Sequence, residues 1–162
     1  MNFELALASG IITLALVFYT AGVFAERRAG ALKPRHLVLF YLGLACDTFG
    51  TSVMTNLAAA SGANPVHAVT GALALVLVLV HAGWATVTLA RGSESARAQF
   101  HRLSIAVWLF WLVPYACGVL MGIPALAFGA PEALACSIAL SVGIGGVLCL
   151  RANFGTRALA HR

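Results

Sequence analysis

Five apolar runs, each long enough to cross a membrane, take up most of the chain, with only short polar connectors between them. A helix rising 1.5 Å per residue needs about 20 residues to span a hydrocarbon core of about 30 Å. The runs at about 4–25, 36–58, 64–90, 100–123 and 132–151 meet that length. The connectors ERRAGALKPR, SGANP, RGSESARAQ and GIPALAFGAP are polar or rich in turn residues. Charged residues make up 9% of the chain and hydrophobic ones 61%, whereas soluble domains carry roughly 25% charged residues. The expected fold is an all-α integral membrane protein, one transmembrane domain built as a five-helix bundle. That leaves no room for a sizeable soluble domain, so any chemistry sits within the bilayer or at its faces.

The charges set an orientation. All ten Lys and Arg residues fall in the first connector, in or beside the third, or after the fifth run. If the helices alternate, these positions share one side, which the positive-inside rule makes cytoplasmic. The opposite side carries Glu4 and Glu132. The expected topology places the N-terminus outside and the C-terminus in the cytoplasm of a bacterial inner membrane. The first run lacks a basic leader and is followed by Glu26, Arg27 and Arg28, so it reads as an uncleaved helix. The basic loops suit anionic lipid and give no reason to invoke nucleic acid. Cys46, Cys117, Cys136 and Cys149 lie in apolar runs without metal-ligand spacing, which reads as packing.

Chemistry concentrates on three runs. The third contains HAVTGALALVLVLVH, whose two histidines lie fourteen positions apart, about four helical turns or roughly 21 Å. His67, Gly71, Ala74, Val78 and His81 share one face, and the small residues leave room for a flat ligand or a neighbouring helix. The second run holds Asp47 near the membrane midplane, on a face with Gly43, Gly50 and Met54. Asp47 could orient the His81 ring as a hydrogen-bond acceptor, or the two could form a polar pair joining helices. The fourth run places His101, Ser104, Trp108, Trp111 and Tyr115 roughly along one face, which suits either packing or a cofactor wall. His36 opens the second run.

A b-type haem needs two axial ligands from facing helices. His81 with His101 is the preferred pair, for haem or for a metal, although their depths differ by roughly 10 Å. His36 is the substitute, and His67 has only Met54 near its level. The histidine spacing also resembles that of di-haem transmembrane cytochromes b.

The stretches GLACDTFGTSVM, HAVTGALALVLVLVHAGWA and FHRLSIAVWLFWLVPYACG resemble the HsmA-like family of small bacterial membrane proteins. The last stretch is more distantly similar to CtaM-like proteins, linked to assembly of haem-copper oxidases. The resemblance implies a role for His67, His81 and His101 in haem or metal handling.

Three functional readings follow. One is a membrane haem b protein in electron transfer or haem handling. Another is a cofactor-free accessory subunit or assembly factor of a larger membrane complex. Its support is the small-residue fifth run, where Ala139 with Gly143 and Ser141 with Gly145 suit packing against partner subunits or a second copy. The third is a small transporter or proton path through Asp47 and His81. No nucleophile–base pair or nucleotide motif specifies an enzyme reaction.

Overall fold

The computed structural model describes the backbone of residues 3–61, 65–126 and 128–160, and the side chains of 3–57, 69–123, 125–126 and 128–151. The described residues form five long helices and no strand. They are α1 (Phe3–Ala29), α2 (Pro34–Ser61), α3 (Pro65–Arg91), α4 (Glu94–Gly122) and α5 (Ala130–Ala160), with a short 3-10 turn at Pro124–Leu126. All five are long and apolar enough to cross a membrane.

Three boundaries depart from the sequence expectation, each for a local reason. α1 runs on through Arg27 and Arg28 to Ala29 and stops at Gly30, whose φ of 68° is the left-handed ending that glycine adopts without penalty. α4 begins at Glu94 rather than near residue 100. The Ser93 hydroxyl accepts from the Ala96 N–H at 3.2 Å, capping a polar first turn that an apolar-run criterion does not see. α5 continues past Arg151 to Ala160.

Helices α1 to α4 close into a ring, with contacts between α1 and α2, α2 and α3, α3 and α4, and α4 and α1. α5 packs mainly on α4 and reaches α1 where Arg27 Nη2 donates to the Leu148 carbonyl at 3.3 Å. The first connector is tied down at the basic end, where Leu32 N donates to Arg97 O at 3.0 Å. Arg97 Nη2 in turn donates to the Leu89 carbonyl at 2.8 Å, closing the C-terminal end of α3.

The interior follows from periodicity. Ala74, Val78, His81, Ala85 and Thr88 form one buried stripe of α3, while Leu73, Val76, Leu79, Val80 and Val87 face outward. An apolar exterior around a partly polar interior is the arrangement a lipid surrounding favours. On α1 the buried stripe is Ala8, Ala15, Tyr19, Gly22 and Glu26. α2 meets this stripe closely through glycines. A Cβ on Gly43 would lie 2.5 Å from the Tyr19 ring, and one on Gly50 would collide with the Ile12 side chain.

Candidate functional site

Two polar clusters occupy the ring of α1 to α4. The first lies toward the end that carries Arg27, Arg28, Arg35 and Arg91. Ser104 on α4 donates its hydroxyl to Glu26 Oε2 on α1 at 2.5 Å. On its other side Ser104 Oγ lies 3.1 Å from His81 Nε2 on α3. Glu26 and Ser104 are fully buried and His81 is 6% exposed. The second oxygen of Glu26, Oε1, is buried and has no hydrogen-bond partner. The His81 ring meets Phe40 edge-on at 4.8 Å and lies tilted over Phe100 at 5.3 Å.

The second cluster surrounds Asp47. Its Oδ2 accepts from Trp111 Nε1 at 2.7 Å and, over a longer 3.4 Å, from the Tyr19 hydroxyl. Thr51, one turn along α2, approaches Oδ1 at 3.4 Å. The indole bond is therefore the strong one. Tyr19 meets Trp111 edge-on at 5.1 Å, and Tyr115 stacks on Trp111 at 5.4 Å. Tyr115 and Thr13 share a hydroxyl hydrogen bond of 3.2 Å. Trp108 donates to the Thr20 hydroxyl at 3.1 Å and packs on Phe24.

Several sequence expectations change here. Asp47 is not the acceptor that orients His81. The α2 residue facing His81 is Phe40, and Asp47 lies seven positions further along α2 (47 − 40), about 10 Å deeper. Nor does His101 pair with His81. Its Nδ1 lies 2.9 Å from the Ala98 carbonyl in its own helix, while Phe100 and Ser104 occupy the α4 face toward His81.

His36 is fully buried and engaged in the first connector. Its Nδ1 lies 3.1 Å from Lys33 N and its Nε2 lies 3.2 Å from Arg35 Nε. A neutral imidazole has one acceptor nitrogen, so only one of these N–H groups bonds to it at a time. The side chain of His67 lies outside the described residues. Trp108 and Tyr115 hold helices together rather than supporting the His81 ring directly.

The residues at His81 do not fit a haem as they are packed. Its Nε2 is turned to Ser104, its ring meets Phe40 and Phe100, and the adjoining cavity is only about 10 Å³. Among the described residues no group of three His, Cys, Asp or Glu side chains is placed to hold a metal ion.

Glu26 is the site residue that sequence reasoning missed. Its neighbours Arg27 and Arg28 made it look like part of a solvated helix end. The available signal was its place on the Tyr19–Gly22–Glu26 stripe, whose spacing puts it on the inward face. On α5 the two small-residue pairs divide. Ser141 donates to the Leu109 carbonyl at 2.6 Å, and Gly145 packs close to the Leu109 side chain. Ala139 and Gly143 instead line an outward apolar groove with Leu140 and Val147.

No protein-family model matches the chain, and no curated protein or solved structure shows a significant match to it.

Proposed function

We propose that this is a multi-pass protein of the bacterial cytoplasmic membrane that exchanges protons between its basic end and the membrane interior, within a larger energy-transducing complex. The observation supporting this reading is the chain Glu26–Ser104–His81, drawn from three helices and sealed from solvent. Ionisable groups inside a membrane are costly, and by default they mark a functional path.

The chain has two complete hydrogen-bond arrangements. In one, His81 Nε2–H donates to Ser104 Oγ, whose hydroxyl donates to the Glu26 carboxylate. In the other, a protonated Glu26 donates to Ser104, whose hydroxyl donates to a bare Nε2 of His81. Conversion moves one proton from His81 to Ser104 as another moves from Ser104 to Glu26. No heavy-atom bond breaks and the proton count is unchanged. Starting from an imidazolium and a carboxylate, the exchange ends with two neutral groups, which removes the desolvation cost of a buried charge pair.

The relay reading is tested on protein with nitrogen-labelled histidine. Glu26→Gln should change the ring-nitrogen resonances of His81, because an amide can hydrogen-bond Ser104 but cannot take up the proton that the exchange passes from Ser104. Resonances identical to wild type would contradict the reading.

Orientation follows from charge. The basic residues cluster where Glu26 lies, and α1 and α5 begin with Glu4 and Glu132 at the other end. The basic end then faces the cytoplasm. Reporters fused after Arg28 and after Gly92 should be active in the cytoplasm, and those near Ser61 and Gly129 should report the outside. A cytoplasmic signal at Ser61 would overturn the five-crossing arrangement. The outward groove of Ala139 and Gly143 on α5 is the face on which a partner subunit or a second copy would pack, because small residues let helices approach closely.

A further inference from the structure

The relay leaves one atom idle. Glu26 Oε1 is buried and accepts from nothing. The register of α1 against α2 shows what stands opposite it. A Cβ on Gly43 would meet the Tyr19 ring, and one on Gly22 would lie 2.7 Å from the Phe40 ring and 3.3 Å from Leu39 Cβ. These contacts fix an antiparallel pair whose glycines let the backbones approach closely. From the Tyr19–Gly43 level, two turns forward along α1 lead to Glu26, and two turns back along α2 lead to His36. The same count on α4 holds. Tyr19 packs on Trp111, and two turns back from Trp111 is Ser104, which Glu26 does reach.

Glu26 and His36 are therefore level with each other on facing helices, and both are 0% exposed. Their needs are complementary. The two His36 nitrogens face two donors, Lys33 N and Arg35 Nε. A neutral ring accepts from only one, so its own N–H is left pointing at a donor. Across the helix pair, Glu26 Oε1 lacks a donor. The cations close by are Lys33 and Arg35, both exposed, while Arg27 and Arg97 are engaged with the carbonyls of Leu148, Leu89 and Thr88.

We infer that His36 is the group that carries protons between the cytoplasmic face and Glu26. This rests on the proton-exchange reading and gives its chain an entry. A proton taken up from the cytoplasm makes the ring an imidazolium, which has no acceptor nitrogen. Both connector contacts are then lost, and Arg35 and Lys33 repel the ring toward the carboxylate. The Nε2–H bond breaks as an Oε1–H bond forms, so imidazolium and carboxylate become imidazole and carboxylic acid. The bare Nε2 can again accept from Arg35. Rotation of the Glu26 carboxyl about Cγ–Cδ turns its O–H to Ser104, which is the second arrangement of the relay.

The test follows the Glu26 carboxyl infrared band of the purified full-length protein after a rapid drop in pH. His36→Asn keeps an acceptor for Lys33 N–H but cannot carry the proton. It should reach the wild-type amplitude about tenfold or more slowly, since a positioned proton carrier contributes at least this much. His36→Ala should be as slow. Added imidazole should restore its rate, whereas pyrazole, a ring of the same size but far less basic, should not. Should His36→Ala fail to fold, His36→Asn decides alone. A slowing of less than about tenfold in His36→Asn overturns the inference, as does equal rescue by pyrazole. The His81 nitrogen resonances separate this failure from that of the relay. If they respond to Glu26→Gln while His36→Asn is fast, the entry is wrong and the relay stands. If His36→Asn is slow while His81 is silent, His36 serves a Glu26 that passes its proton no further, and the relay has failed.

Discussion

Asp47→Leu should destabilise the protein by about 2 kcal/mol. It leaves the Trp111 indole N–H without its acceptor in a buried site, and hydrogen bonds to charged or strongly polar groups contribute on this scale. Bonds between membrane helices average less than this, and the upper part of their range applies because Tyr19 and Thr51 also lose their partner. Asp47→Asn should cost about half as much, since the amide oxygen still accepts from the indole. Thermal unfolding of the purified protein in detergent checks the order wild type, Asn, Leu. Equal melting temperatures for all three would show that the Asp47 cluster contributes nothing to the fold.

Gly50→Val should be as damaging, by a different route. A Cβ there would collide with the Ile12 side chain and lie 3.2 Å from the Ala8 carbonyl oxygen. Ile12 can rotate, but the Ala8 carbonyl belongs to the backbone of α1, so the two helices must part. Overpacking of this kind costs about 1–3 kcal/mol. Gly43→Val acts nearby by driving Tyr19 away from Asp47 and Trp111. Gly71→Ala is the control, because an added Cβ there meets nothing within 4 Å. Its melting temperature should stay at or slightly above wild type, since alanine suits a helix better than glycine. The close α1–α2 approach is refuted if Gly50→Val unfolds no earlier than Gly71→Ala.

The outline of the fold was legible because it rests on run length and charge, which need no knowledge of neighbours. The stripe Ala74, Val78 and His81 was legible for the same reason, since helical periodicity decides which residues share a face. Gly43, Asp47 and Gly50 were likewise read together, and the structure turns that face toward α1. Periodicity does not say which helix a face meets or at what depth. His81 therefore acquired Asp47 and His101 as partners on paper, whereas Phe40, Phe100 and Ser104 meet it. The α4 boundary moved because Ser93 caps a polar turn, and the histidine depths derived from the later start moved with it. Glu26 was hidden by its position. An acid followed by two arginines resembles a solvated end, and only the packing of α4 against α1 brings Ser104 over it.

The central claim is that Glu26, Ser104 and His81 hold their protons as one unit. Its most direct test is a paired pH titration of the same protein. The Glu26 carboxyl is followed by infrared absorption, assigned by its loss in Glu26→Gln, and the His81 ring by nitrogen NMR. In the wild type each signal should show both apparent steps of the pair and so span one common pH range, as coupled sites do. Ser104→Ala should make them titrate independently, and Ser104→Thr, which keeps the hydroxyl, should restore the common range. Independent titration in the wild type, or a common range that survives Ser104→Ala, would contradict the account.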